Sequence, residues 1–186
     1  MKPLQASPIN TRRYKEPLMA RFVTIFVLVL LGLFIIEMLN PVQAHVIIPF
    51  TEMLAGISAG IIMPFDHSVV AHGRILQFGE DGFAVSIEAG CNGIEATIVL
   101  IAAVLAYPAG WRERLIAIGV GFVAIQAMNI VRIISLFYLG SWSFDLFSWV
   151  HLYLWPTLIM LDVLIVFVIY LRYLSGKAPA AEPAGG

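Results

Sequence analysis

Residues 22–39 read FVTIFVLVLLGLFIIEML, an almost unbroken apolar run, and how this run is taken decides the fold. At about 1.5 Å of rise per residue, a helix over it is just long enough for the roughly 30 Å hydrocarbon core of a bilayer. Basic residues before it and Val42-Gln43-Ala44 after it give the outline of a signal peptide. The run nevertheless exceeds the roughly 7 to 15 apolar residues of such a segment, which makes it an uncleaved membrane anchor. Ahead of it, residues 1–21 are polar, carry Lys2, Arg12, Arg13, Lys15 and Arg21 with Pro3 and Pro8, and read as a mostly disordered tail.

Composition extends this reading to the whole chain. Of 186 residues 60% are apolar and only 12% charged, too oily for a soluble fold of this size. Residues 91–107, 115–139 and 149–170 are each long enough to cross, with Trp and Tyr near their ends as interfacial anchors. The expectation is an all-α polytopic membrane protein of about four transmembrane helices, at 22–39, 91–107, 115–139 and 149–170. The membrane domain then covers 22–174 with an outer region at 40–90, and residues 175–186, rich in Pro, Ala and Gly, form a disordered tail.

The charges orient these spans. Lys2, Arg12, Arg13, Lys15, Arg21, Arg112, Arg114, Arg172 and Lys177, nine of the eleven Lys and Arg, fall on one side. Basic residues favour the cytoplasmic side, so both termini and the 108–114 loop are cytoplasmic, and residues 41–90 and 140–148 lie outside with Arg74 as their only basic residue. Residues 46–63 are apolar enough for a further span. That span would export Arg112 and Arg114 and bury Pro49 and Glu52 in lipid, so an interfacial helix on the outer leaflet is expected instead. After it, 74–78 and 83–87 flank Gly79-Glu80-Asp81-Gly82, the pattern of a small β-hairpin. Membrane lipid is the expected surrounding; nothing points to nucleic acid.

Three side chains could carry chemistry. Cys91 opens the second span in Glu88-Ala89-Gly90-Cys91-Asn92-Gly93-Ile94, where a helix start favours an anion and the thiolate should form more easily. The alternative for a lone membrane cysteine is a small buried hydrophobe. Arg132 shares a face of the third span with Gln126 and Asn129, roughly 10 Å below the outer surface by helix rise, deep enough to need a partner. That partner is an ion pair with Glu95 or Asp162, a catalytic group, or both. His151 opens the fourth span at the outer interface, where a lone histidine is ordinarily just solvated. His45, His67 and His72 lie in the outer loop. Four scattered histidines and one cysteine show no close metal-ligand pair, so neither a metal nor a cofactor is expected.

Together these residues supply what thiol acyl transfer needs: a nucleophile, a histidine to move protons and an arginine to stabilise an oxyanion. H-E-x-x-H is absent. Glu88, Asn92, Glu95 and Asn129 are read as supporting residues around them. The rival from another class is a non-enzymatic transport or assembly module in which Arg132, Glu95 and Asp162 form a buried charge network and Cys91 is incidental. A redox or metal-relay protein would need a second thiol from elsewhere.

At these residues the chain resembles the exosortase/archaeosortase family of membrane cysteine transpeptidases, whose signature is Cys followed by Asn/Ser-Gly, then Asn-x-x-Arg, then His. Here the motifs are Cys91-Asn92-Gly93, Asn129-Ile130-Val131-Arg132 and His151, and the resemblance covers roughly residues 73–174. A chain this short, with little beyond the catalytic core, is similar to the compact exosortase H type, associated with IPTL-like sorting signals. The resemblance implies a protease or transpeptidase of a bacterial inner membrane with its site on the outer face. Its partners would be exported proteins bearing a C-terminal sorting signal: a short motif, a transmembrane helix and a basic tail. Cys91 would hold the cut protein as a thioester, Arg132 would face the oxyanion and His151 would shuttle protons.

Overall fold

The structure, a computed structural model, describes residues 12–79 and 82–177, with side chains from Met19 onward. The outermost parts of both expected tails and the turn residues Glu80 and Asp81 lie outside the described residues. Five helices and a three-stranded sheet follow in the order α1 (Arg12–Glu37), α2 (Asn40–Ile62), β1 (Val69–His72), β2 (Ile75–Phe78), β3 (Ala84–Ser86), α3 (Ile94–Ala106), α4 (Trp111–Trp142) and α5 (Phe144–Lys177). Helix α1 therefore starts well inside the segment read as a disordered tail. Its first residues, Arg12-Arg13-Tyr14-Lys15-Glu16, include good helix formers, and an apolar helix already nucleated downstream extends into them at little cost.

Among the described residues four helices are long and apolar enough to cross a membrane: Met19–Glu37 of α1, and α2, α4 and α5. The number agrees with the sequence, but the set differs. Helix α3 has 13 residues, a reach of about 20 Å. It is shorter than the run 91–107 because both ends are cut by local chemistry. Gly93 precedes it in the left-handed conformation, at φ 75°. Tyr107 is extended, with ψ 134°, as suits the residue before Pro108.

Helices α2 and α5 each contain one π turn, Gln43–Ile47 and Val150–Leu154. Each closes with an amide donating to the carbonyl five residues back, Ile48 to Gln43 and Trp155 to Val150. In both cases the next residue is proline, Pro49 or Pro156, which has no N–H to continue the ordinary ladder.

Helices α3, α4 and α5 form the main core around Leu100, Val104, Ile125, Ile159 and Val163, and α1 packs on α3. Gly121 sits where α4 meets both neighbours: a Cβ there would lie 2.3 Å from Leu100 and 2.9 Å from Val166. A second core joins Leu54, Ala55, Ala59 and Ile62 of α2 to Val69, Leu76 and Ile87 of the sheet and Ile133 and Phe137 of α4. The sheet is antiparallel in the order β1-β2-β3. Strands β2 and β3 are the expected hairpin, with Ile75 opposite Ser86 and Gln77 opposite Ala84. Strand β1 is the addition. It pairs with β2 from Val69–Phe78 to His72–Ile75, turning at Gly73, which has φ 56°.

The bundle has two chemically distinct ends. At one, a cavity of about 380 Å³ is lined by Arg21, Tyr107 and Arg114, and Lys177 pairs with Glu113 at 2.6 Å. At the other lie the sheet, the loop before α3 and the polar face of α4. Helix α2 contacts this second end and also reaches down α4, where Phe50 lies against Phe122 with ring centroids 6.1 Å apart. Gln43, Ile47 and Thr51 border the strand end Arg74, Ile87 and Glu88, and Leu54 to Ile62 cover the sheet.

Candidate active site

The loop between β3 and α3 is a tight turn, with the Cys91 amide donating to the Glu88 carbonyl at 2.9 Å. Gly90 at φ 86° and Gly93 at φ 75° allow the chain to reverse twice within four residues. Cys91 is thereby set above α3 and not within it. The first free amide of the helix, that of Ile94, donates to the Asn92 side chain at 3.1 Å.

Against this loop α4 presents its polar face. Arg132, 6% exposed, donates through one Nη to the Gly90 carbonyl at 3.1 Å and through the other to Cys91 Sγ at 3.4 Å. His151 approaches from the π turn of α5, with Nε2 3.9 Å from Sγ. Its ring stacks on Phe147, centroids 5.5 Å apart and planes within 3°. The three residues singled out in the sequence thus meet, each delivered by a different segment. They line a cavity of about 140 Å³ whose other walls include Val85, Ser86, Glu88, Ile133 and Leu136.

The supporting residues surround this centre. Glu88 borders the cavity, paired with Arg74 at 2.9 Å and accepting from Ser86 Oγ at 2.8 Å. Glu95 accepts from the Gly90 amide at 2.6 Å. Asn92 is fully buried and donates to Thr51 of α2, whose own hydroxyl donates to the Ile47 carbonyl. Asn129 is fully buried beside Gly93, where a Cβ would lie 3.4 Å from Asn129 Cγ and 2.9 Å from Gln126 Nε2. The carboxamides of Gln126 and Asn129 make no hydrogen bond among the described residues.

Two expectations change. Burial pushes the Cys91 thiol above its ordinary range; Arg132 pulls it partly back, while Glu95 and Glu88 raise it further. A thiolate favoured by the helix start does not result, because the helix begins only at Ile94 and Asn92 already occupies its amide. Nor does Arg132 pair with Glu95 or Asp162: among the described residues the ion pairs are Arg74–Glu88 and Lys177–Glu113. The charge network of a non-enzymatic module loses its central link.

Sequence reasoning missed Thr51, Phe147 and the Gly90 carbonyl. Phe147 had a signal, standing four residues before His151 on one helix face. Thr51 and Gly90 had none, since their partners are distant in the chain. His45 bonds its own turn at the Pro41 carbonyl. Among the described residues no three His, Cys, Asp or Glu side chains stand close enough to hold a metal ion.

Fold and site define a polytopic helical membrane protein that buries an arginine against a cysteine and a histidine in one small cavity. The chain belongs to the transmembrane exosortase family: the family model described as Transmembrane exosortase (Exosortase_EpsH) matches residues 16–173. No curated protein and no solved structure matches the chain.

Proposed function

We propose that this protein is a membrane-embedded cysteine transpeptidase or protease that cleaves C-terminal sorting signals of exported proteins. The observation that carries the reading is the contact of Cys91 Sγ with Arg132 at 3.4 Å and His151 at 3.9 Å, inside a cavity large enough for a reacting group. The raised thiol pKa makes a base necessary, and His151 Nε2 is the base within reach. His151 takes the proton as sulfur attacks the scissile carbonyl, and Arg132 Nη donates to the developing oxyanion. The imidazolium then protonates the leaving amine, and a thioester to Cys91 remains. Water or an amine acceptor attacks that thioester in turn, with His151 again the base. Within the family, the reading is the compact exosortase H type.

The membrane is a bacterial inner membrane with both termini cytoplasmic and the site on the outer side. Support comes from Arg21, Arg114 and Lys177 gathering at one end of the bundle and the cysteine cluster at the other. Helix α2 has the length of a span; its packing on the sheet and its hydrogen bond from Asn92 to Thr51 support an outer-leaflet placement. Because α3 reaches only about 20 Å, Cys91 sits recessed in the outer leaflet, at the depth assigned to Arg132.

The test is Cys91→Ala in the native host, following secreted proteins that end in an apolar helix and basic tail. Uncleaved membrane-bound precursors should accumulate while the variant stays folded in the membrane. Unchanged processing would make the thiol structural and end the peptidase reading.

A further inference from the structure

We propose that the polypeptide to be cut binds as an added β-strand along the outer edge of β3, its backbone pairing with Ala84 and Ser86. The inference rests on the peptidase reading and adds how that substrate is held.

Register decides which groups are free. Phe78 donates to the Phe83 carbonyl and Ile87 to the Arg74 carbonyl, so Phe83, Val85 and Ile87 turn their backbone polar groups toward β2. Ala84 and Ser86, between them, point N–H and C=O the other way. No element of the sheet lies beyond β3, and among the described residues the backbones of Ala84 and Ser86 have no partner on that side. The opposite strand differs: β1 packs against α2, with Val69 buried in the same cluster as Leu54 and Ile62.

What lies along β3 is the reactive cavity. Val85, Ser86, Ile87 and Glu88 line it together with Ile133, Leu136, Phe147 and His151. A free strand edge is a template for an extended chain, which takes its affinity from main-chain hydrogen bonds and its selectivity from pockets for alternate side chains. Val85, Ile133, Leu136 and Phe147 among the lining residues are apolar, which fits small apolar side chains. The bed runs directly into the turn at Glu88–Cys91, so a segment laid on β3 delivers its next carbonyl to Sγ.

The experiment compares two alkylating probes of Cys91 in the detergent-solubilised full chain. Iodoacetamide needs only the thiol. A tetrapeptidyl chloromethyl ketone of alanine and valine needs the strand bed too; sulfur displaces chloride from its methylene carbon. Ser86→Pro and Ala84→Pro delete outward N–H groups that the sheet does not use, and Ser86→Ala controls for the hydroxyl. Each proline should slow the peptidyl probe about fivefold, the order of one lost hydrogen bond, with iodoacetamide rates unchanged. Backbone N-methylation of the probe removes the N–H donated to a β3 carbonyl, a bond that Ser86→Pro retains, and should cost a similar factor in the wild type and again in the Ser86→Pro variant. Equal peptidyl rates in wild type and both proline variants would overturn the strand bed alone. A wild type that reacts with iodoacetamide but not with the peptidyl probe would overturn both the bed and the peptidase reading.

Discussion

Cys91 is held by two opposed influences, burial against the charge of Arg132, and its behaviour with pH follows from their balance. Burial is the larger influence and raises the thiol's pKa. Its alkylation rate should therefore keep rising with pH and level off only above the ordinary thiol value of about 8.5. Arg132→Gln removes the cation that lowers the pKa and should move the profile further up. Glu88→Gln removes a nearby negative charge and should move it down. Stopped alkylation with mass readout from pH 6 to 10 measures all three, and a midpoint below that of free cysteine would refute the assignment. Arg132→Lys should not restore processing. Two Nη groups reach Gly90 and Cys91 at once, and a single ammonium cannot hold that fork. The expected loss is on the order of a hundredfold in turnover, the cost of one oxyanion donor.

At the scale of elements, the π turn of α5 aims the histidine. Without Pro156 the ladder can close normally, removing one residue's worth of turn and rotating His151 by about 100° relative to the helix beyond. Pro156→Ala should thus leave thermal stability equal or higher while reducing processing; full activity would show that the turn does not set the aim. The junction of the Cys91 loop with α4 depends on Gly93, which is left-handed and tightly apposed to Gln126 and Asn129. Gly93→Ala should cost about 1–2 kcal/mol from the backbone conformation alone, read as a lowered Tm in detergent. Adding Gln126→Ala should return only the part due to crowding.

For the whole molecule the prediction is an orientation. In a Cys91→Ala background, Phe144→Cys should react with a membrane-impermeant maleimide added to spheroplasts, and Arg112→Cys should react only after lysis. The reverse pattern would invert the proposed topology and place the site on the cytoplasmic side.

Much of this was legible in the chain. Apolar runs longer than a bilayer is thick are a one-dimensional property, as is the gathering of Lys and Arg into alternate loops, so the membrane class and the expected sidedness needed no tertiary information. Cys91, Arg132 and His151 were legible because each opens or interrupts an apolar segment where a reactive or charged group needs a reason. Other features only the folded chain decided. Residues 40–62 fold as one helix packed on a sheet that includes β1, whose four residues carry little pattern of their own. The thiol's raised pKa depends on burial by α4 and the carboxylates of Glu95 and Glu88. Arg132 finds a backbone carbonyl and a sulfur where the sequence offered two acids, because a charge's partner is set by three-dimensional neighbours, which no spacing along the chain encodes.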